Sequence, residues 1–443
     1  MTDTQAEAAG PIDAFRSFFA LRRDVLVLSL AMFAFSLGFQ MTSRYLPEYM
    51  TALGASGFVV GLFGTFGNVI SAVFPYPGGA VSDRIGSRYA LTLFGLLSTV
   101  GFAVWLLAGQ LDAFALGPLT IEPWVWIFVG LVLAQAWKSF GLGATFAVVK
   151  QATEPSRLAA GFAATETFRR VAFLVGPVLA AGLIGLHPSF TVSFQYVLLA
   201  AVGFGALGTV VQHLLYDASE DTIGGSFAGV EQIRADLRAL PDELRPLLVG
   251  DTLVRFANGM VYVFFVLVVT RFFEVGLETT ISLGGFSYAL DLSPAAFFGV
   301  LLGIEMLIAL LVMAPAAKVA EFVGLKPVVA LGFAVYALFP VVLINAPATS
   351  TAMIAVFAFS GLRFAGLPTH KALIVGPAET DAGGRVTGTY YLLRNTIVIP
   401  SAALGGYLWD FVSPEVAFTL AAAIGVVGTG YFLLFGQEFE AYR

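Results

Sequence analysis

The chain consists mainly of long apolar stretches separated by short polar segments between Asp24 and Gly436. A helix needs about 20 apolar residues to cross the hydrocarbon core of a bilayer, and twelve stretches come close to this length. We predict membrane-spanning helices over residues 24–47, 56–78, 89–110, 123–149, 158–185, 190–215, 246–270, 294–316, 326–346, 350–374, 386–409 and 415–436. A dozen such stretches in series argue against buried helices of a water-soluble domain, so the pattern predicts an all-α membrane protein.

The longest polar interruption lies in the middle of the chain and separates six predicted helices from six. Apolar residues recur within it at helical spacing from Val230 to Leu240, which predicts a short amphipathic helix at the membrane surface that ends at Pro241. The predicted domains are a tail (1–23), a six-helix bundle (24–215), a cytoplasmic linker (216–245), a second six-helix bundle (246–436) and a second tail (437–443).

The two predicted bundles resemble each other when one is shifted along the other by about 238 or, for the later helices, about 225 positions. The matched pairs include Gly86 with Gly324, Lys138 with Arg363 and Arg169 with Arg394. Because charges are rare inside apolar stretches, their coincidence indicates an internal duplication. We therefore expect two pseudo-symmetric bundles.

Composition supports a membrane protein and excludes several kinds of site. Apolar residue types make up 58% of the 443 residues and charged types 12%, about half of the charged share in soluble domains. The absence of cysteine excludes disulfides, thiolate metal sites and a cysteine nucleophile. Only three histidines are present and no phosphate-binding glycine loop occurs, so we expect no metal, no cofactor, no ATP site and no nucleic-acid partner.

The basic residues predict the orientation in the membrane. Apart from six cations inside predicted spans, the Lys and Arg residues lie on one side, except Arg44 and Arg271. By the positive-inside rule both termini are cytoplasmic. The first 24 residues lack the apolar core and cleavage site of a signal peptide. We expect a multi-pass protein of the plasma membrane that acts as a monomer.

A short motif lies between the second and third predicted spans and contains Gly79, Asp83, Arg84, Gly86 and Arg88. Glycines allow a tight turn and close helix contact, and a carboxylate is favoured near a helix amino terminus. The motif resembles the signature loop of the major facilitator superfamily, although Ser87 stands where that family often has a basic residue.

This resemblance implies a secondary transporter that works by alternating access, with the two halves moving around a central site. It also implies that Asp83 holds the cytoplasmic ends of the halves together in one state, through a contact near Gly384 and Arg385. The alternative is that the loop is only a tight turn whose arginines set the topology. Both interpretations stay open here.

Nine ionisable residues fall well inside the predicted spans, where a charge facing lipid costs about 2.5–3.5 kcal/mol on insertion scales. They are Lys138, Glu166, Arg169, Arg170, Asp251, Arg255, Glu305, Arg363 and Arg394. Each should therefore face a partner or a water-filled cavity. Helical spacing allows Glu166 to pair with Arg169 or Arg170, and Asp251 to pair with Arg255.

The six cations among these residues outnumber the three carboxylates, so we interpret the cations as candidate substrate ligands. Glu305, Asp251 and Glu166 are candidate proton-coupling groups, and Glu305 is alternatively a counter-ion for an arginine. The positive excess favours an anionic or zwitterionic substrate.

Three other functions remain as alternatives. A drug-exporting proton antiporter would be expected to show a negative cavity. A membrane enzyme acting on lipid would need clustered acid, base or metal groups, whereas His187, His213 and His370 lie on separate segments. A sensor that no longer transports would normally carry an extra soluble domain. We therefore expect a transporter and not an enzyme.

Overall fold

In the computed structural model, the residues described are 23–74, 81, 84–116, 119–140, 158–217, 238, 240–283, 286–375 and 383–438. Helices dominate these parts of the chain. Most of the predicted linker helix lies outside the described residues, as do Asp83 and Gly79.

The described residues of the first part of the chain, up to residue 217, form seven helices. They are α1 (Arg23–Thr42), α2 (Leu46–Ala52), α3 (Gly57–Val73), α4 (Ser87–Ala108), α5 (Val125–Gln135), α6 (Leu158–Ile184) and α7 (Phe190–Leu215). A π-helical turn, Ala136–Phe140, continues α5.

The described residues of the second part, from residue 238 onwards, form eight further helices. They are α8 (Arg245–Val261), α9 (Pro294–Val323), α10 (Leu325–Ile344), α11 (Ser350–Gly361), α12 (Leu367–Val375), α13 (Gly383–Val398), α14 (Ser401–Phe411) and α15 (Pro414–Phe435). After α8 the chain continues through the 3-10 turn Tyr262–Phe264, one α turn and the π-helical turn Val268–Phe272. A 3-10 turn, Leu362–Phe364, joins α11 to α12.

Every predicted span overlaps a helix, so the apolar pattern located the helices correctly. Among the described residues, seven helices are long and apolar enough to cross a membrane, or eight if the bent pair of α1 and α2 counts as one span. The number of twelve crossings and their division into two bundles remain predictions.

Two short β-hairpins depart from the expected all-α structure. Strands β1 (Phe114–Leu116) and β2 (Leu119–Ile121) form one, and β3 (Leu277–Leu283) and β4 (Phe286–Leu292) form the other, with Leu283 paired to Phe286. Apolar and polar residues alternate along β3, and Gly284 and Gly285 follow it. Alternation followed by a two-residue glycine turn is the signal of a hairpin, which the search for long apolar stretches overlooked.

Gly86 and Gly324 precede α4 and α10 in nearly the same backbone conformation. Their φ/ψ angles are 83°/155° and 90°/167°, a region that an L side chain rarely adopts. The sequence repeat matches these two glycines, so the structure shows one turn type at both positions. At the second turn Glu438 also accepts hydrogen bonds from the N–H groups of Leu325 and Lys326.

The largest buried cluster joins the two parts of the chain and includes Tyr45, Trp105, Phe264, Phe297 and Phe339. Many large apolar side chains are instead exposed, including Phe322 at 80% and Leu434 at 78%. An apolar exterior of this extent fits a surface that faces lipid.

The first and second parts of the chain contact closely at one end, which we call the closed end. The closed end contains the amino terminus of α3 and the carboxyl terminus of α14. A Cβ on Gly61 would lie 2.9 Å from the Cα of Gly406 and would also meet the carbonyl oxygen of Ala402. Helices α6 and α9 approach similarly, because a Cβ on Gly299 would meet the Pro177 carbonyl oxygen. Small residues at these positions let the backbones approach.

Candidate functional site: two adjoining cavities lined by cations

A cavity of about 360 Å³, here the first cavity, lies among α1, α3, α5 and α6, with Tyr262 and Val263 on one wall. Its polar lining includes Gln40, Arg44, Asn68, Gln135, Lys138 and Arg169. This volume is within the range of about 300–1,000 Å³ that is usual for small-molecule sites.

Lys138 lies in the π-helical turn that follows α5. Turns of this kind often occur at functional sites because they redirect a side chain. The lysine lines the first cavity and is exposed there, with its Nζ 5.7 Å from the centroid of the Phe39 ring. It therefore remains accessible to a ligand although it lies at mid-span.

Two arginines share the first cavity with Lys138. Arg169 is half-buried on α6, and its guanidinium lies 5.9 Å from the Phe173 ring centroid. Arg44 lies in the turn between α1 and α2, 3.9 Å from the ring centroid of Tyr262 on the other part of the chain. Three cations thus line one cavity.

No carboxylate lines the first cavity in the part of the chain that the structure describes. The side chain of Glu166, on the same helix as Arg169, lies outside the described residues. Close cations in a poorly polarisable environment repel one another. An entering anion would relieve that repulsion.

A second cavity of about 530 Å³ adjoins the first, because Ser71 lines both. Its polar lining includes Arg255, His370, Tyr391, Arg394 and Asn395. Two further cations therefore face the same central region from the second part of the chain.

Asp251 is fully buried behind the second cavity and is surrounded by donors. Its Oδ1 accepts from Arg255 Nε at 3.2 Å, and its Oδ2 accepts from Arg394 Nη1 and Tyr390 Oη, both at 3.0 Å. His370 Nε2 lies 3.1 Å from the same Oδ2. The predicted i,i+4 pair of Asp251 and Arg255 is confirmed, but Asp251 also joins three residues that the sequence pattern does not connect to it.

Glu305 and Arg363 form a second buried group. Arg363 Nη2 lies 2.5 Å from Glu305 Oε1, both side chains are only 2% exposed, and Ser360 donates to Glu305 Oε2 at 3.2 Å. The Tyr336 ring lies beside the guanidinium groups of both Arg255 and Arg363, at 4.6 and 5.1 Å. The charge on Arg363 is therefore already compensated within the protein.

The closed end also carries polar contacts between the two parts of the chain. Arg271 contacts Glu48 at 2.9 Å, and Thr270 donates to the same carboxylate at 2.7 Å. Glu48 itself is 7% exposed.

Comparison with known families identifies the chain. A family model described as Major Facilitator Superfamily matches residues 28–291, which is more than half of the sequence. The chain belongs to the Major Facilitator Superfamily. It is thus a multi-pass membrane protein of a transporter family, consistent with its apolar helices.

Two curated relatives from Mycobacterium tuberculosis strains are described as uncharacterized MFS-type transporters. Each is 27% identical over 199 residues, covering 45% of this chain and 42% of the relative. The match thus spans less than half the length of the curated relatives.

Solved structures of transporters share this superfamily fold. A variant of the nucleoside transporter NupG aligns with a TM-score of 0.72 at 12% identity, covering 93% of this chain and 100% of that chain. A POT family transporter in complex with 5-aminolevulinic acid aligns with a TM-score of 0.68 at 15% identity, covering 95% and 99%. Identities this low show a common fold alone.

The superfamily signature loop is only partly described. Arg88 is half-buried and its Nε donates to the carbonyl oxygen of His213 at 2.9 Å, which connects the start of α4 to the end of α7. Arg84 is exposed. The expected contact of Asp83 with residues near Gly384 and Arg385 falls on residues or side chains outside the described set.

The structure separates the predicted cations of this superfamily member into groups. Lys138, Arg169, Arg255 and Arg394 line the central cavities, whereas Arg363 is buried against Glu305. Arg170 lies elsewhere, with Nη1 3.8 Å from the sulfur of Met313 on α9. The repeat matches Lys138 with Arg363, but Lys138 is exposed in the first cavity whereas Arg363 is buried in an ion pair.

Several residues of the site were missed by sequence reasoning. Tyr336, His370 and Tyr390 complete the buried networks, and Arg44 and Tyr262 close one wall of the first cavity. His370 inside a predicted span could have indicated a functional role. Among the described residues, no group of three His, Asp or Glu side chains has the arrangement of a metal site.

Proposed function

We propose that this protein is a secondary transporter that carries a small organic anion or zwitterion by alternating access. The superfamily supports transport, and the cavity between the two parts of the chain supports the location of the substrate. In this proposal Lys138, Arg169, Arg255 and Arg394 contact the substrate.

The observation that carries the proposal is the charge of the first cavity. Lys138, Arg169 and Arg44 line it without a carboxylate among the described lining residues. In the second part of the chain, Asp251 and Glu305 form ion pairs with arginines. A cavity of one sign with low-dielectric walls concentrates ligands of the opposite sign. A cationic drug would be repelled there, which argues against the exporter alternative.

The proposed architecture has twelve spans in two six-helix bundles, with both termini in the cytoplasm. The closed end contains Arg44 and Arg271, the two cations that the charge pattern assigns to the outer side. In this orientation, the conformation described is closed to the outside of the cell. The two central cavities are then reached from the cytoplasmic side. Alternating access would require the contacts at Gly61, Glu48 and Asp410 to separate.

In this proposal transport is coupled to protons, and the coupling group is Asp251 and not Glu305. Asp251 lies behind Arg394 and His370, both of which line the second cavity, so water can reach its immediate partners. Glu305 is buried with Arg363 and serves as its counter-ion. Glu166 remains a candidate.

The proposal can be tested with purified protein and three probes: benzoate as an anion, 5-aminolevulinate as a zwitterion and tetraphenylphosphonium as a cation. A ligand that binds the folded state raises the unfolding temperature. We expect benzoate or 5-aminolevulinate to stabilise the protein and tetraphenylphosphonium not to do so.

Lys138→Gln should weaken the binding of the stabilising probe by roughly tenfold or more, because a charge-assisted hydrogen bond contributes about 1.5–3 kcal/mol. Arg245→Gln is the control, since it also removes one positive charge but lies on the surface, 71% exposed. Equal affinity of both variants and the parent, or stabilisation by the cation alone, would contradict the proposal.

A further inference from the structure

We infer that the substrate is a planar aromatic anion, with its acidic group between Lys138 and Arg169 and its ring among the aromatic side chains of the first cavity. The inference rests on the proposed anion transport and adds the chemical class of the anion. It depends on how cations and rings are arranged in the cavity wall.

Each cation of the first cavity lies beside an aromatic ring. The pairs are Lys138 with Phe39 at 5.7 Å, Arg169 with Phe173 at 5.9 Å and Arg44 with Tyr262 at 3.9 Å from cation to ring centroid. Distances up to about 6 Å allow a favourable cation–π interaction. This interaction holds each cation against a ring at the cavity wall, where an acidic group of a ligand can also reach it.

Aromatic residues are concentrated in this cavity. Seven of its 22 lining side chains are Phe, Trp or Tyr, whereas these types make up 14% of the whole sequence. They come from both parts of the chain, because Tyr262 lies opposite the first part and is 37% exposed. Phe173 and Tyr262 are the more exposed of these residues, so a ligand in the cavity meets their rings as well as the cations.

These features distinguish an aromatic anion from other anions. An inorganic anion such as sulfate could contact the cations but would leave the accessible rings of Phe173 and Tyr262 without a partner. A cavity of about 360 Å³ also has room for an organic body. Aromatic pairs are stabilised beyond the burial of area, so a flat ring is favoured over a saturated ring of similar size. Amides of Gln40, Asn68 and Gln135 can orient polar substituents.

The test compares two carboxylates of similar size, 2-naphthoate and its saturated analogue decahydro-2-naphthoate, by calorimetry on the purified full chain. We expect 2-naphthoate to bind roughly fivefold more tightly. Sulfate and 2-naphthylmethylammonium serve as inorganic and cationic probes.

Two substitutions test whether the aromatic rings cause the preference for 2-naphthoate over its saturated analogue. Tyr262→Leu and Phe173→Leu should each reduce the difference between the two carboxylates, whereas Tyr262→Phe should keep it because the ring remains. Tyr262 is suited to this test because its exposure limits the effect on folding. Circular dichroism and size exclusion establish that each variant is folded.

The outcomes separate this inference from the proposed function. If both carboxylates bind equally to the parent, or if the ring substitutions do not change their ratio, the aromatic inference is wrong while anion binding stands. If neither carboxylate binds, or if only the ammonium probe binds, the aromatic inference is wrong. The proposed anion transport is overturned as well only if benzoate and 5-aminolevulinate also fail to stabilise the protein.

Discussion

Asp410 accepts hydrogen bonds from the amino terminus of α3, with Oδ1 3.0 Å from Gly57 N and Oδ2 2.6 Å from Phe58 N. These residues are about 350 positions apart in the sequence. The first N–H groups of a helix lack partners within it, and the helix dipole favours an anion there. Asp410 thus joins α14 to α3 at the closed end.

Replacing this carboxylate should weaken the closed end. We expect Asp410→Asn to reduce the ratio of closed to open protein by roughly fivefold, about 1 kcal/mol, because the carboxylate is exposed and water competes for its hydrogen bonds. The native chain has no cysteine, so Asn68→Cys in the first cavity can report opening. Labelling by an impermeant thiol reagent outside intact cells should increase.

Glu415→Gln is the control for this experiment, since Glu415 is an exposed carboxylate near the same end. It should leave the labelling rate unchanged. Unchanged labelling in Asp410→Asn would show that its hydrogen bonds do not hold the closed end.

Closure of this end should also require close contact between the backbones of α3 and α14. Gly61→Ala would place a methyl group against the Ala402 carbonyl oxygen and the Cα of Gly406, so the two helices would have to move apart. We expect loss of transport together with greater outside labelling of the Asn68→Cys reporter. Gly182→Ala provides a matched control, because a Cβ there meets nothing within 4 Å. Equal behaviour of the two variants would contradict the prediction.

Substitution of Glu305 tests whether this carboxylate is a structural counter-ion or the proton carrier. Removing one member of a buried ion pair costs about 3–5 kcal/mol, so Glu305→Gln should lower the unfolding temperature strongly. The double variant Glu305→Gln/Arg363→Met should recover part of the loss, because no buried charge is then left alone. Thermal unfolding of the purified protein is the measurement. A stable Glu305→Gln variant that transports but ignores a pH gradient would instead identify Glu305 as the proton carrier.

Arg394 and Arg363 should respond differently to substitution. Arg394 lines the second cavity, so Arg394→Gln should weaken binding of the stabilising anion, and Arg394→Lys should restore it only in part because the planar guanidinium fork is lost. Arg363→Gln should mainly lower stability, since Arg363 is buried with Glu305. Calorimetry at two salt concentrations measures binding. A larger loss of affinity in a folded Arg363→Gln variant would reverse this assignment.

The proposed orientation can be examined with single cysteines placed on the two predicted sides of the membrane. An impermeant thiol reagent applied to intact cells should label Asp112→Cys and Thr280→Cys, which precede β1 and lie in β3. It should spare Ser219→Cys in the predicted cytoplasmic linker. Strong labelling at position 219 with none at 112 would invert the topology.

The sequence predicted the helices and the family because both depend on local patterns. Apolar runs of spanning length marked the position of each helix except α2, most of which lies between the first two predicted spans. The spacing of Gly86 within its motif indicated the superfamily, and the matched Gly324 has the same positive-φ conformation. The spacing of Asp251 and Arg255 showed their ion pair, since four residues are about one helical turn.

Only the tertiary structure decided which charges are compensated and which face a cavity. Glu305 and Arg363 are 58 residues apart, and Asp251 and Arg394 are 143 apart, so no helical period connects them. Their contacts depend on which helices are neighbours and on the rotation of each helix about its axis. These are properties of packing, which the order of residues along one helix does not contain. For the same reason Lys138 and Arg363, matched in the sequence repeat, have different environments: one is exposed in a cavity and the other is paired in the core.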